Sequence, residues 1–98
     1  MDWQQKAAAI QALAGWQNFA LKMRGPENWY VQHSGLEQKE GGLLSDGPQH
    51  GKTPEDAVNQ CWDWMTDPEY YLVWSTYRDS RRAVRWDGFM WENVNEEL

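Results

Sequence analysis

The sequence has one cysteine, Cys61, and two histidines, His33 and His50. A lone thiol closes no intramolecular disulfide. Neither histidine lies in a Cys-x-x-Cys or His-x-x-x-His spacing of the kind that pre-sets zinc ligands. A metal site from His33, His50, Cys61 and an acid would have to be assembled entirely by the fold, so no metal or cofactor is expected. Cations are also scarce: 9 Lys and Arg stand against 15 Asp and Glu, for a net charge of −6. That balance opposes sequence-independent binding to DNA or RNA, which is driven by phosphate neutralisation. No apolar run approaches the ~18 residues of a membrane-spanning helix. The opening MDWQQKAAA has no apolar signal-peptide core. The chain is therefore expected in a cytoplasm, without a membrane partner.

The abundant residue is tryptophan. Eight occur in 98 residues: Trp3, Trp16, Trp29, Trp62, Trp64, Trp74, Trp86 and Trp91. A single domain over 1–98 has too thin a core to enclose them all. About five or six are expected in or beside the core, leaving two or three exposed.

The stretch GPQHGKTPEDA, residues 47–57, has the look of a phosphate-binding loop. The P-loop requires G-x-x-x-x-G-K-[ST], so that successive backbone N–H groups wrap a phosphate. Counting back from Gly51 places Asp46 where the first glycine should stand, and Pro48 removes an N–H from the cradle. Thr53-Pro54-Glu55-Asp56 reads instead as a helix start, with Thr53 as N-cap, Pro54 at the first position and acids in the first turn.

Residues 2–23 are predicted helical, because AAAIQALAGWQNFALKM is rich in good helix formers. Gly25-Pro26 would stop that helix. Residues 28–46 carry strand chemistry: Trp29–His33, then Leu36–Lys39 after a Ser-Gly turn, then a third candidate at Leu43-Leu44-Ser45 after Gly41-Gly42. Residues 53–66 form a second helix, with Ala57, Val58, Cys61, Trp62 and Met65 on its buried face. YYLVWSTY, residues 70–77, is a strand. Strands 82–87 and 88–94 follow, joined at Asp87-Gly88, a strong two-residue hairpin signal. That turn would pair Trp86 with Phe89, Arg85 with Met90 and Val84 with Trp91, and would point Phe89 into the core. The expected fold is α+β, order α-β-β-(β)-α-β-β-β, with two helices on one face of an antiparallel sheet.

Catalytic candidates are few. A Cys61–His50 pair needs an exposed thiol of lowered pKa, whereas Cys61 sits in the apolar helix pattern. No enzyme is expected. The order α-β-β-β-α over residues 2–66 matches the double-stranded RNA-binding domain, but GKTPEDA puts Pro, Glu and Asp where that module needs Lys. Two binding surfaces remain. One is acidic: Glu55, Asp56, Asp63, Asp67 and Glu69, with Trp64 as an exposed anchor, suited to a basic partner surface. The other combines Trp74, Tyr77, Arg78, Arg81, Arg82 and Arg85, residue types that stack on a base and fork a phosphate.

The layout W-Y-V…GG…GKTPEDAVNQCW followed by YRDSRRAVRWDGFMWENV resembles small accessory proteins of tailed phages and prophages. Residues 81–94 are its most specific part. The resemblance covers most of the chain and implies no catalytic residue. It implies an anti-defence role of the anti-CRISPR kind: a non-enzymatic inhibitor that blocks a host protein or ribonucleoprotein in the cytoplasm of an infected bacterium. The alternatives are a sponge for a nucleotide second messenger, built between subunits of a homo-oligomer, and a phage morphogenesis or regulatory protein.

Overall fold

The computed structural model describes residues 1–14, 19–33, 36–39, 50–68, 70–75 and 81–94. Two helices and two small antiparallel sheets make an α+β fold. The class is the expected one. The strands divide between two sheets where a single sheet was expected, and a further strand precedes the second helix.

Helix α1 (Trp3–Ala14) starts on a reciprocal cap. The Gln5 N–H donates to the Asp2 carboxylate at 2.8 Å, and the Asp2 N–H donates to the Gln5 amide oxygen at 2.9 Å. This capping box satisfies two donors at once. Ile10, Leu13 and Ala14 are the buried face.

The predicted continuation of α1 to residue 23 is incorrect. Phe19–Gly25 is strand β1, paired antiparallel with β2 (Asn28–His33) from Phe19↔His33 to Gly25↔Asn28. Ala, Leu, Lys and Met favour helix by at most about 0.7 kcal/mol per residue. A full ladder of partners outweighs that preference. Gly25-Pro26 is part of a hairpin turn and not a helix stop, and Glu27 takes the left-handed conformation there (φ 58°). The register slips between Met23 and Gly25, leaving Arg24 as the extra residue of a β-bulge.

Strand β3 (Leu36–Lys39) is as predicted. The third candidate, Leu43-Leu44-Ser45, and the Gly41-Gly42 turn lie outside the described residues. Strand β4 (His50–Gly51) was not foreseen; it pairs with β2 and completes a sheet of order β1-β2-β4.

Helix α2 (Pro54–Met65) follows the sequence closely. The Thr53 hydroxyl accepts the Asp56 N–H at 3.1 Å, and Pro54 occupies the first turn. At the other end, the Thr66 hydroxyl donates to the Trp62 carbonyl at 2.7 Å. Gly51 explains why a glycine precedes this cap. A Cβ there would collide with the Ala57 nitrogen and lie 2.5 Å from the Asp56 Cβ. The GKT sequence is thus a packing and capping device.

The second sheet has the order β3-β5-β6-β7, with β5 at Tyr71–Ser75, β6 at Arg81–Trp86 and β7 at Trp91–Asn93. Its last hairpin corrects the predicted register. Trp86 pairs with Trp91, Arg85 with Glu92 and Val84 with Asn93, so Asp87–Met90 forms the loop. The shift is two residues along β7, which keeps every strand residue on its face. Trp91 remains inward, but Phe89 leaves the sheet. The gain is burial: Trp86 and Trp91 both reach Trp62.

One core cluster spans the molecule: Ile10 and Leu13 from α1, Val31 from β2, Val58, Cys61, Trp62 and Met65 from α2, Leu72 from β5 and Val84 from β6. Helix α2 is the shared wall. It packs against β2 and β4 on one side and presents Trp62 to the β6–β7 hairpin on the other.

Candidate functional site

The tip of the β6–β7 hairpin is the most pronounced apolar protrusion among the described residues. Phe89 is 93% exposed and Met90 61%. Aromatic residues and methionine are enriched in protein interfaces. A phenyl ring held almost wholly in water forfeits ~1.5–3 kcal/mol of burial.

The tip is built to hold its shape. One Asp87 carboxylate oxygen accepts the Phe89 N–H at 2.7 Å and the Met90 N–H at 2.8 Å. The Asp87 N–H donates to the Met90 carbonyl at 3.0 Å. Gly88 takes φ 109°, a conformation that side-chain-bearing residues avoid. The N–H groups of Met90 and Phe89 hold the Asp87 carboxyl below the usual aspartate range.

The base of the hairpin is anchored by three indoles. Trp62, Trp86 and Trp91 meet edge to face, with centroids 4.9 Å apart for Trp62–Trp86, 5.8 Å for Trp62–Trp91 and 5.1 Å for Trp86–Trp91. Such pairs favour this geometry because the ring edge is positive and the face negative. The Trp91 indole N–H also donates to the Ala9 carbonyl of α1 at 3.0 Å. Phe89 and Met90 thus project from a fixed mount. The sequence reading missed Phe89, because the two-residue turn put it in the core; the same turn put Met90 on the outward face, where it is. The available signal was Asp87 itself, whose side chain readily caps the N–H groups that follow it.

The acidic surface is partly assembled. Asp56, Gln60 and Asp63 are exposed and fall on one stripe of α2, and Glu55 is exposed in its first turn. Lys6 reaches the edge of this stripe, its ammonium donating to the Asn59 amide oxygen at 3.0 Å. Trp64 is not an exposed anchor. It is half-buried and packs against the core cluster. Asp67 is half-buried just past the helix end, and Glu69 lies outside the described residues. None of the described tryptophan side chains is exposed; Trp3, Trp29, Trp64, Trp86 and Trp91 are half-buried and Trp62 is buried. About five or six indoles are expected in or beside the core, and these six are there; Trp16 and the Trp74 side chain lie outside the described residues.

The arginine–aromatic set is dispersed where it is described. Arg82 and Arg85 are exposed, and their spacing along β6 puts them on opposite faces. The Arg82 guanidinium donates to the Asn93 amide oxygen at 2.8 Å, and Arg85 stands across from Glu92. Tyr77, Arg78 and the side chains of Trp74 and Arg81 lie outside the described residues.

Cys61 is enclosed, and burial pushes its thiol from 9.0 up to about 12. Its S–H donates to the Met65 thioether sulfur at 3.6 Å. A thiol in that state supplies no thiolate nucleophile near neutrality. His50 stacks on Tyr30 and lies 3.4 Å from the Asn28 amide oxygen. Among the described residues, no three His, Cys, Asp or Glu side chains converge as metal ligands. Among the described residues, no helix is long and apolar enough to cross a membrane. Comparison with known proteins finds no matching family model, no matching curated protein and no matching solved structure.

Proposed function

We propose that the chain is a non-enzymatic binding protein that seats the Phe89–Met90 tip in an apolar pocket of a partner protein. The observation that carries this reading is a 93% exposed phenylalanine on a hydrogen-bonded, tryptophan-mounted loop. A pre-shaped anchor loses little conformational entropy on docking. The exposed acids Asp56, Asp63 and Glu55 add long-range steering toward a basic surface.

The narrower reading is that the partner is a host defence or nucleic-acid-handling complex, which the protein blocks by occupying it in the cytoplasm of an infected bacterium. The likeness of residues 81–94 to phage accessory proteins supports it, and so does the net charge of −6.

The test compares wild type with Phe89→Ala in a bacterial host carrying an active defence system. Protection of an infecting phage and the host component retained by the tagged protein are read together. Loss of both in a variant that keeps its circular dichroism spectrum supports the tip. Full protection by the folded variant removes the tip from the function. Absence of protection by wild type itself discards the anti-defence reading.

A further inference from the structure

The outer face of the first sheet carries a cluster that the Phe89 tip does not involve. Strands β1, β2 and β4 place Lys22, Tyr30 and His50 in one cross-strand row: Lys22 pairs with Tyr30, and Tyr30 with His50. The Leu21, Trp29 and Val31 side chains pack on the core, so this row faces away from it. Arg24 is the bulged residue of β1, and its guanidinium carbon lies 4.9 Å from the Tyr30 ring centroid. Bulges re-aim side chains, and here the result is a guanidinium laid over a phenol. His50 stacks on the same ring, with centroids 5.8 Å apart. Lys52 is exposed just beyond His50.

The chemistry of this face is selective. β1 and β4 flank β2 on opposite sides. Tyr30 is therefore bracketed by Arg24 from one side and His50 from the other, and offers no open stacking platform for a nucleobase. What remains outward is charge: the Arg24 fork and the Lys22 ammonium, both exposed. Arg presents paired N–H donors that match a carboxylate. The tyrosine holds that fork in place, so less entropy is lost when an anion binds.

The same strand offers a backbone. β1 runs seven residues and, among the described residues, pairs on one side only, with β2. Charged side chains on an edge strand disfavour pairing with a basic edge through like-charge repulsion and with an apolar edge through the cost of desolvation. They admit an acidic one, so the device doubles as a filter. We propose that β1 accepts an extended acidic segment of a partner protein as an added strand, with carboxylates at alternate positions of that segment meeting Lys22 and Arg24. Strand addition gives affinity through main-chain hydrogen bonds, and alternate side chains give specificity.

The probe is a soluble peptide of alternating glutamate and valine, titrated into the ¹⁵N-labelled protein. The expected result is a set of amide shifts over 19–25, 28–32 and 50–52, with slowed hydrogen exchange along β1. Lys22→Glu/Arg24→Glu should weaken binding at least about tenfold, as like charges now face each other. Both residues are exposed, so the fold is expected to survive; Lys22→Ala/Arg24→Ala serves if the reversal does not fold. The proposal is overturned by no shift at β1, by undiminished binding to the folded variants, or by preference for oligo-deoxythymidylate over the peptide. The Phe89→Ala protein should bind the peptide like wild type, which separates this surface from the hairpin tip.

Discussion

Trp91 reaches across the molecule to Ala9: its indole N–H donates to the Ala9 carbonyl at 3.0 Å, joining the last strand to the first helix. The ring that makes this bond is also one of three packed edge to face at the hairpin base. Trp62→Ala removes the member shared by both strands. It should cost about 3–5 kcal/mol, the range for losing a large buried aromatic. Trp91→Phe keeps a ring and deletes the N–H donor, and should cost only about 1 kcal/mol. Urea unfolding followed by circular dichroism gives both values; equal costs would contradict this division of labour.

Asp87 sets a pH limit on the tip. Its carboxyl is held below the usual range by the Met90 and Phe89 N–H groups. A lowered folded-state pKa means that the stabilisation is complete above the ordinary aspartate value. It is lost as the pH falls through the lowered one. The Phe89 and Met90 amide resonances should therefore move with a midpoint below that of a free aspartate. In Asp87→Asn that transition should vanish while the rest of the spectrum keeps its position.

Gly51 and Lys52 separate the packing role of GKT from a phosphate-binding one. Gly51→Ala forces a Cβ to within 2.5 Å of the Asp56 Cβ. Overpacking of this kind costs roughly 1–3 kcal/mol. Lys52→Ala alters an exposed side chain and should change stability by less than about 0.5 kcal/mol. Thermal unfolding with and without ATP and magnesium checks both: a nucleotide-dependent rise in Tm that Lys52→Ala abolishes would restore the P-loop.

Cys61 sets the alkaline limit. Burial raises its thiol from 9.0 to about 12. The core holds the neutral form, so stability is complete below the ordinary value and declines as the pH rises through the window toward 12. The loss at the top of that window is of order 4 kcal/mol. Cys61→Ala should show a shallower decline over the same range, and a parallel decline would assign it to other groups. In the native protein the thiol should also react far more slowly with a maleimide than in urea.

Legibility in the sequence followed the range of the interactions. Helix α2 was readable because its cap is spelled within four residues, Thr53 to Asp56, and its buried face repeats at helical spacing. The acidic stripe came with it, since Asp56 and Asp63 are two turns apart. β1 was not readable: FALKMRG has helix-forming composition, and only its pairing with β2 makes it a strand. The hairpin was found but its register was not. The local preference for a two-residue Asp-Gly turn lost to the distant Trp62, which rewards placing Trp86 opposite Trp91. That one misassignment hid Phe89. Lys22, Tyr30 and His50 were hidden for a similar reason, because only sheet pairing brings them together.

The clasp between Trp91 and Ala9 also governs when the molecule can form. The two groups are separated by 82 positions. The core cluster likewise draws on Ile10 near one end and Val84 near the other. Helix α1 gains this partner only once β7 has been made. The apolar face of α1 can pack on α2 as soon as that helix is made, but the Ala9 carbonyl waits for Trp91. Contacts of such long range slow folding, because loop closure precedes any return in contact energy. A chain released short of Trp91 would lack the clasp and two of the three indole pairs.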